Sequence, residues 1–329
     1  MEKIKWGIIG TGRIAHTFAA ALNGCGDAEL CAVASMSERK AKAFADEVGA
    51  GSFYGSYKEF AEKADVQAVY IATPMASHFE DARICLKNGK NVLCEKTVTL
   101  NSAELEELLE LADKNGLFFM EAMWTKCRPS FLKAKEWAQS GRIGQLKYIK
   151  ADFSNMVRYD KKDRLFRPDC GGGALLDLSV YPVSLACAFL GNEPSETISS
   201  AHIGADGVDL SNSVVLKYPD GSFASTDSGF EIPLRNNALI SGTDGYILFG
   251  DWFFCSNDVS LYDREGNEVE KFSYENDVNG YEYEIYEFNR CLREGLKDSP
   301  LVPHADTLAV MKILDECRRQ WGMKFPQEM

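Results

Sequence analysis

The apolar positions in the first third of the chain fall into short, nearly unbroken runs separated by stretches with helical spacing. Ile4 to Ile9, Glu29 to Ala34, Ala68 to Ala72, Asn91 to Cys94 and Leu117 to Met120 read as strands, with Phe53-Tyr54 as a shorter one. Runs this apolar suit parallel strands buried on both faces. Between them, Ile14 to Leu22, Lys40 to Val48, Tyr57 to Ala64, Ser77 to Asn88 and Asn101 to Gly116 carry the helical period. Ser37 stands where it can cap the second helix, and Asn101 with Glu104 resembles a capping box for the fifth. Strands and helices alternating through short links predict a doubly wound parallel sheet.

Beyond Met120 the pattern changes. A helix over Phe131–Ser140 leads to an alternating run, Gln145–Asn155, and a glycine cluster, Gly171–Gly173, opens an apolar helix over Ala174–Leu190. Further strand-like runs follow at Thr197–Ile203, Asn212–Tyr218, Phe223–Phe230, Asn237–Ser241 and Tyr246–Phe249. Turns such as Tyr218-Pro219-Asp220-Gly221 separate them. Helices near Tyr281–Glu294 and Ala305–Trp321 end the chain. The expected fold class is α/β: an N-terminal Rossmann-type doubly wound parallel sheet over residues 1–122, then an α+β domain over 123–329 with an open, largely antiparallel sheet.

Composition narrows the partners. The 329 residues carry a net charge of −13, which argues against nucleic acid or an anionic membrane surface. No apolar run approaches the ~20 residues of a membrane span. Met1-Glu2-Lys3 leads straight into a strand, so no signal peptide is expected. The ten cysteines are scattered singly with no C-x-x-C, so no metal site is expected and a reducing, cytoplasmic setting fits.

The first strand ends in Gly10-Thr11-Gly12-Arg13-Ile14-Ala15, a G-x-G-x-x-A turn opening a helix. Gly10 permits a sharp turn, Gly12 lets backbone approach a pyrophosphate, and Ala15 lets helix and strand pack closely. The helix N-terminus offers N–H groups and a positive dipole end to the phosphates. At the end of the second strand, where NAD enzymes usually place an acid for the ribose, the chain reads Ala34-Ser35-Met36-Ser37-Glu38-Arg39. Ser35 and Ser37 can donate to a 2′-phosphate and Arg39 can pair with it, with Arg13 adding charge, which predicts NADP. Glu38 reaching the ribose instead would make the cofactor NAD.

Ligands of open α/β sheets sit beyond the carboxyl ends of the strands. The residues there are Thr73-Pro74-Met75-Ala76-Ser77-His78, Glu95-Lys96-Thr97 and Glu121-Ala122-Met123-Trp124. Together with the glycine turn and the later Gly171–Tyr181 segment (GGGALLDLSVY), these resemble the glucose–fructose oxidoreductase / inositol dehydrogenase family (Gfo/Idh/MocA) along nearly the whole chain. The nearest likeness is to the branch holding dimeric dihydrodiol dehydrogenase and NADP-linked xylose dehydrogenase. The inositol branch has a His where this chain has Tyr181.

The resemblance implies hydride transfer between a nicotinamide cofactor and a CH–OH group of a sugar, polyol or dihydrodiol. It implies Thr73, Pro74, His78, Glu95 and Lys96 beside the cofactor, and a homodimer or dimer of dimers formed through the C-terminal sheet. Oxidising an alcohol also requires a base for the hydroxyl proton. Tyr181 is the candidate, since an ammonium such as that of Lys96 lowers a phenol from its reference value near ~10. Asp177 lies four residues before Tyr181 on the same helix face and is placed to orient the substrate or Lys96. Trp124, Phe153 and Trp252 are candidates for an apolar substrate wall, and Arg164, in a polar loop with Arg158 and Arg167, for a substrate contact. Each of these has a plainer reading as core or surface. Thr97 stands where the family usually has proline, which leaves the geometry after Lys96 open. The rival reading is a non-catalytic nucleotide-binding sensor on the same fold.

Overall fold

The computed structural model describes residues 2–329. Contacts group the chain into two compact units, Met1–Cys127 with Asn276–His304 and Arg128–Glu275 with Ala305–Met329.

In the first unit, β1 (Ile4–Ile9), β2 (Ala28–Ala34), β3 (Ser52–Tyr54), β4 (Ala68–Ile71), β5 (Asn91–Glu95) and β6 (Phe119–Ala122) form a parallel sheet in the order β3-β2-β1-β4-β5-β6. Helices α1 (Arg13–Gly24), α2 (Glu38–Val48), α3 (Tyr57–Lys63), α4 (His78–Lys87) and α5 (Ser102–Asn115) link the strands. The strand order reverses between β1 and β4, the switch point at which such sheets bind dinucleotides. Asn101 caps α5 by accepting the Glu104 N–H at 3.0 Å. The Ser37 side chain makes no capping bond to α2. Strand β6 starts later than the apolar pattern suggests. Gly116 ends α5 in the left-handed region, and the Leu117 N–H still bonds back to Ala112 O, so the ladder begins only at Phe119. Glu121 and Ala122 are therefore buried strand residues rather than part of a loop.

The second unit is built on an eight-stranded mixed sheet: β7 (Leu146–Ser154), β8 (Glu196–Ile203), β9 (Asp209–Lys217), β10 (Phe223–Gly229), β11 (Ala238–Gly242), β12 (Gly245–Phe249), β13 (Asp258–Asp263) and β14 (Glu268–Ser273), in the order β14-β13-β12-β11-β7-β10-β9-β8. All pairings are antiparallel except β7 with β10. The hairpin of β13 and β14 is absent from the apolar pattern because Glu268, Glu270 and Lys271 make its outer strand polar, as suits a sheet edge. Helices α6 (Pro129–Gln139) and α7 (Val180–Leu190) belong to this unit. A π-helical turn over Leu175–Ser179 precedes α7. The helical run Pro168–Leu190 is long and apolar enough by composition to cross a membrane, but 83% of its most apolar stretch is buried inside the protein, where it forms core.

The chain ends in α8 (Glu282–Glu294) and α9 (His304–Trp321). A single division at 122/123 assigns α8 to the second domain, whereas its contacts group it with the first unit. Trp6 of β1, fully buried, packs on Phe288 with ring centroids 4.8 Å apart, and its indole N–H donates to Asn289 Oδ1 at 3.1 Å.

Candidate active site

The glycine turn after β1 has the form its sequence suggests. Gly10 has φ +101°, and a Cβ there would stand 2.5 Å from Ala72 O, so no side chain fits. Gly12 differs: no atom lies within 4 Å of where its Cβ would be. Gly12 is also the N-cap of α1, whose first turn carries no capping side chain and no acidic residue. The first turn of α1, with Arg13 and Ile14, thus carries no acid of its own, and the space over Gly12 is open. The turn fits the pyrophosphate of a dinucleotide. At the end of β2, Ser35 is buried and its Oγ accepts the Ser37 N–H at 3.4 Å, shaping the turn, while Met36 and Arg39 stand exposed.

The loops after β4 and β5 are tied together from within. His78, almost fully buried, sets Nδ1 3.0 Å from Thr97 O and Nε2 2.9 Å from Thr73 O. A neutral ring has one N–H and donates to one of these carbonyls. Pro74 begins the turn between Thr73 and α4. The Thr73 hydroxyl donates to Asp81 Oδ2 at 2.7 Å, and burial pushes the Asp81 carboxyl up to about 6. Glu95 points inward. Its Oε2 accepts the Lys96 N–H at 3.1 Å, and its Oε1 accepts the hydroxyl of Tyr70 on β4. Burial, with the Glu95 carboxylate beside it, raises the Tyr70 phenol well above its ordinary range. The Lys96–Thr97 peptide is cis, and Thr97 is fully buried. Glu284 of α8 is also fully buried, with neither carboxylate oxygen hydrogen-bonded. Burial first, then the Glu95 and Glu121 carboxylates, raise it well above the usual range. Trp124 is buried and stacks on Tyr281, with centroids 4.2 Å apart and planes 10° from parallel.

In the second unit the glycine cluster makes room for the loop before it. A Cβ on Gly172 would stand 2.6 Å from the carbonyl oxygens of both Arg164 and Leu165. The Gly172 and Gly173 N–H groups bond to Arg167 O and Leu165 O at 2.9 and 3.0 Å. This folds the 164–170 loop onto the start of the helical run. Arg164 then donates through both Nη atoms to Asp177 Oδ1 at 3.1 Å. Asp177 thus turns to Arg164, not to an open solvent face. Tyr181, one turn on, is 6% exposed and stands among aromatic rings. Phe153 lies 5.5 Å from it edge to face and Phe254 5.0 Å away, while Phe153 meets Trp252 at 6.2 Å, again edge to face. Trp252, at φ +60°, remains half exposed. Its loop is anchored through Asn236, whose N–H donates to Asp152 Oδ1 at 2.6 Å and whose carbonyl accepts the Phe253 N–H at 2.8 Å.

Comparison with known proteins identifies both halves. A model for an oxidoreductase family with an NAD-binding Rossmann fold matches residues 4–123, and one for the GFO/IDH/MocA C-terminal domain matches 131–248. The chain belongs to the Gfo/Idh/MocA family of oxidoreductases. Within it, the chain is 33% identical to trans-1,2-dihydrobenzene-1,2-diol dehydrogenase of Xenopus laevis, over 98% of this chain and 99% of that protein. Identity to the Mus musculus enzyme of the same name is 34%, over 99% of each. Among solved structures, a 3-ketoreductase from Actinomadura kijaniata in complex with NADP and TDP-benzene superposes with a TM-score of 0.86 at 27% identity, over 97% of this chain and 98% of that one. A levoglucosan dehydrogenase superposes at 0.85 with 19% identity, a likeness of fold.

As a Gfo/Idh/MocA member the protein is an NAD(P)-dependent oxidoreductase with a Rossmann unit. Within the first unit, the residues expected from sequence at Gly10, Gly12, Thr73, His78, Glu95 and Lys96 all lie at the strand ends around the switch point. Within the second, Phe153 packs on both Tyr181 and Trp252, and Arg164 pairs with Asp177 one helical turn before Tyr181. Sequence reading missed Phe254, which touches Phe153, Tyr181 and Trp252, because it lies in an irregular stretch after β12. It also missed Glu284. The signal for Glu284 was an acid beside Ile285 and Phe288 on the buried side of an amphipathic helix.

Proposed function

We propose that the protein transfers hydride between NADP and the CH–OH group of a small diol, polyol or sugar, with cyclic dihydrodiols as the preferred class. The observation that carries this is the aromatic cluster in which Phe153 and Phe254 pack on Tyr181 and Trp252 packs on both of them, with the Arg164–Asp177 pair one helical turn away. An apolar enclosure beside a polar pair suits a molecule with one hydrocarbon face and adjacent hydroxyls. The names of the relatives support the same class: dehydrogenases of a dihydrobenzene diol and a ketoreductase complexed with NADP.

The nicotinamide, when bound, accepts or supplies the hydride. Tyr181 exchanges the proton with the substrate oxygen: in the oxidation the phenolate takes the hydroxyl proton as the C–H hydride leaves. Lys96 contributes positive charge to that step. Asp177 and Arg164 orient the second hydroxyl, and the aromatic rings exclude water. Gly12, Arg13 and Ile14 receive the pyrophosphate, and Ser35, Ser37 and Arg39 the 2′-phosphate. Incubating the enzyme with aldoses, polyols and trans-dihydrodiols, each with NADP and with NAD, tests this by nicotinamide absorbance. Tyr181→Phe and Lys96→Met are expected to lower turnover roughly 100- to 10,000-fold, with NADP still bound. Wild-type turnover in both variants removes them from the reaction.

The open face of the eight-stranded sheet, with Ile198 and Phe223 each 43% exposed, supports a homodimer or dimer of dimers formed there. Ile198→Glu with Phe223→Asp is expected to give a monomer by light scattering. No disulfide joins any of the ten cysteines, which supports a reducing cytoplasmic setting.

A further inference from the structure

Asp209, the first residue of β9, is fully buried on the side of the sheet that faces the π turn. Its Oδ2 accepts the Leu175 N–H and an Nδ2 hydrogen of Asn212, both at 2.8 Å. Asn212 Oδ1 in turn accepts the Ser179 hydroxyl at 2.9 Å. Leu175 and Ser179 are the two ends of the π turn, so one carboxylate and one amide grip it at both ends. Residues three apart on a regular strand face opposite ways. Here β9 slips register against β8: Ser211 pairs with His202 but Asp209 with Ile203, leaving Leu210 as an extra residue. That bulge brings Asp209 and Asn212 to the same side. The other carboxylate oxygen fills the place of a side chain on Gly173: a Cβ there would stand 2.3 Å from Asp209 Oδ1.

We infer that Asp209, with Asn212, is a positioning residue for the reaction, setting the π turn from which Asp177 projects and which leads directly into Tyr181. The inference rests on the reading of Tyr181 as the proton-transfer group. A π turn closes on wider bonds than an α-helix and recurs at functional sites. This one leaves the Leu175 N–H to an acceptor outside the helix, and an ionised acceptor makes the stronger bond. The site is costly for a charge. Asp209's neighbours are the Leu175 amide from the π turn, Asn212 on its own strand and the Cys317 thiol of α9, none of them a cation, and burial pushes its carboxyl up to about 6. Because the folded value is raised, the group favours folding at low pH and ceases to do so as pH rises through about 6. A buried, unpaired carboxylate in that position is accounted for by geometry, not by stability.

The experiment is steady-state kinetics of Asp209→Ala, Asp209→Asn and Tyr181→Phe on the dihydrodiol or sugar found in the screen, with NADP affinity and thermal unfolding measured in parallel. Misplacing a reacting group by about an ångström costs on the order of 100-fold. Asp209→Ala is therefore expected to lower kcat about 10- to 100-fold while NADP affinity is unchanged. Asp209→Asn, which keeps one oxygen for both bonds, should recover kcat to within about 3-fold of wild type. A protonated Asp209 keeps the same single oxygen as Asn, so wild-type kcat should fall by no more than about 3-fold as pH drops through about 6, and that limb should vanish in Asp209→Asn. Asp81 also lies at about 6, so the limb must persist in Asp81→Asn for the assignment to hold. If Asp209→Ala does not fold, Ser179→Ala, which removes the hydroxyl's bond to Asn212 and its longer one to Ala174 O but leaves the Asp209 bonds in place, is expected to fold and to show a smaller kcat loss. Full kcat in Asp209→Ala, or equal loss in the Ala and Asn variants, overturns the inference. Full turnover in Tyr181→Phe instead overturns the reading beneath it.

Discussion

Around Lys96 the supporting groups are sequence neighbours or lie one strand away: Glu95 precedes it, Tyr70 lies on the adjacent β4, and His78 spans the two loops. Around Tyr181 they are gathered from far along the chain, with Phe153 on β7, Asp209 and Asn212 on β9, and Phe254 and Trp252 beyond β12. Parallel strands converge at one end of a sheet, so short motifs at consecutive strand ends meet there of necessity. The mixed sheet of the second unit has no such rule. Its site depends on glycines, a bulge and a π turn, each adjusting one contact.

The harshest way to break that comparison is Gly172→Ala. The added methyl would meet three backbone carbonyls, those of Arg164 and Leu165 at 2.6 Å and that of Arg167 at 2.8 Å, and backbone cannot move aside as a side chain can. The 164–170 loop should detach and Arg164 should leave Asp177. Turnover is expected to fall at least about 100-fold, with NADP affinity unchanged in a fluorescence titration. Full activity would mean that the loop does not organise this half of the site.

Gly12→Ala is the converse, and a smaller effect. Its methyl meets no protein atom, so unfolding temperature should not change, yet it occupies the space expected for the pyrophosphate. NADP affinity is expected to drop about 10-fold or more, the cost of roughly 1.4 kcal/mol of lost contact. Gly10→Ala, which would strike Ala72 O, should destabilise the protein outright. Equal behaviour of the two variants would show that the turn is shaped for folding alone. Arg39→Ala is gentler again: Arg39 is exposed, and its loss should weaken NADP by about 10-fold while leaving NAD unaffected.

The same contrast explains what was legible in the sequence. The doubly wound parallel sheet followed from runs such as Ala68–Ile71, whose burial on both faces leaves them almost uniformly apolar. Gly10 and Gly12 were readable because their roles are local. Tyr181 and Asp177 came from a motif, but nothing in the motif says that Asp177 pairs with Arg164, 13 residues before it, or that Asp209, 34 residues after Leu175, braces the turn. The β13–β14 hairpin was lost because an edge strand such as Glu268–Ser273 is selected to look polar. The grouping of α8 with the first unit was lost because an amphipathic stripe shows that a face is buried without showing against what.

Glu284 sharpens the comparison at its smallest scale, because it is an ionisable group buried within the first unit and facing the Glu95 and Glu121 charges. Its native carboxyl is raised by burial and by Glu95 and Glu121, from an ordinary value of 4.5. Below that value both folded and unfolded chains hold the proton, and Glu284 is neutral in each. As pH climbs above it, the unfolded chain releases the proton while the folded one keeps it, so stability declines toward the raised native value. Glu284→Gln is neutral at every pH and similar in shape. It should therefore unfold at nearly the wild-type temperature near pH 4 and a few degrees above it at pH 8, with the gap opening steadily between. Turnover with Tyr181 intact should change little by comparison with the glycine variants. A gap that stays constant with pH would mean that the folded protein does not hold Glu284 protonated above its ordinary range. A variant less stable than wild type at pH 8 would show a hydrogen-bonded carboxylate there in place of a buried neutral acid.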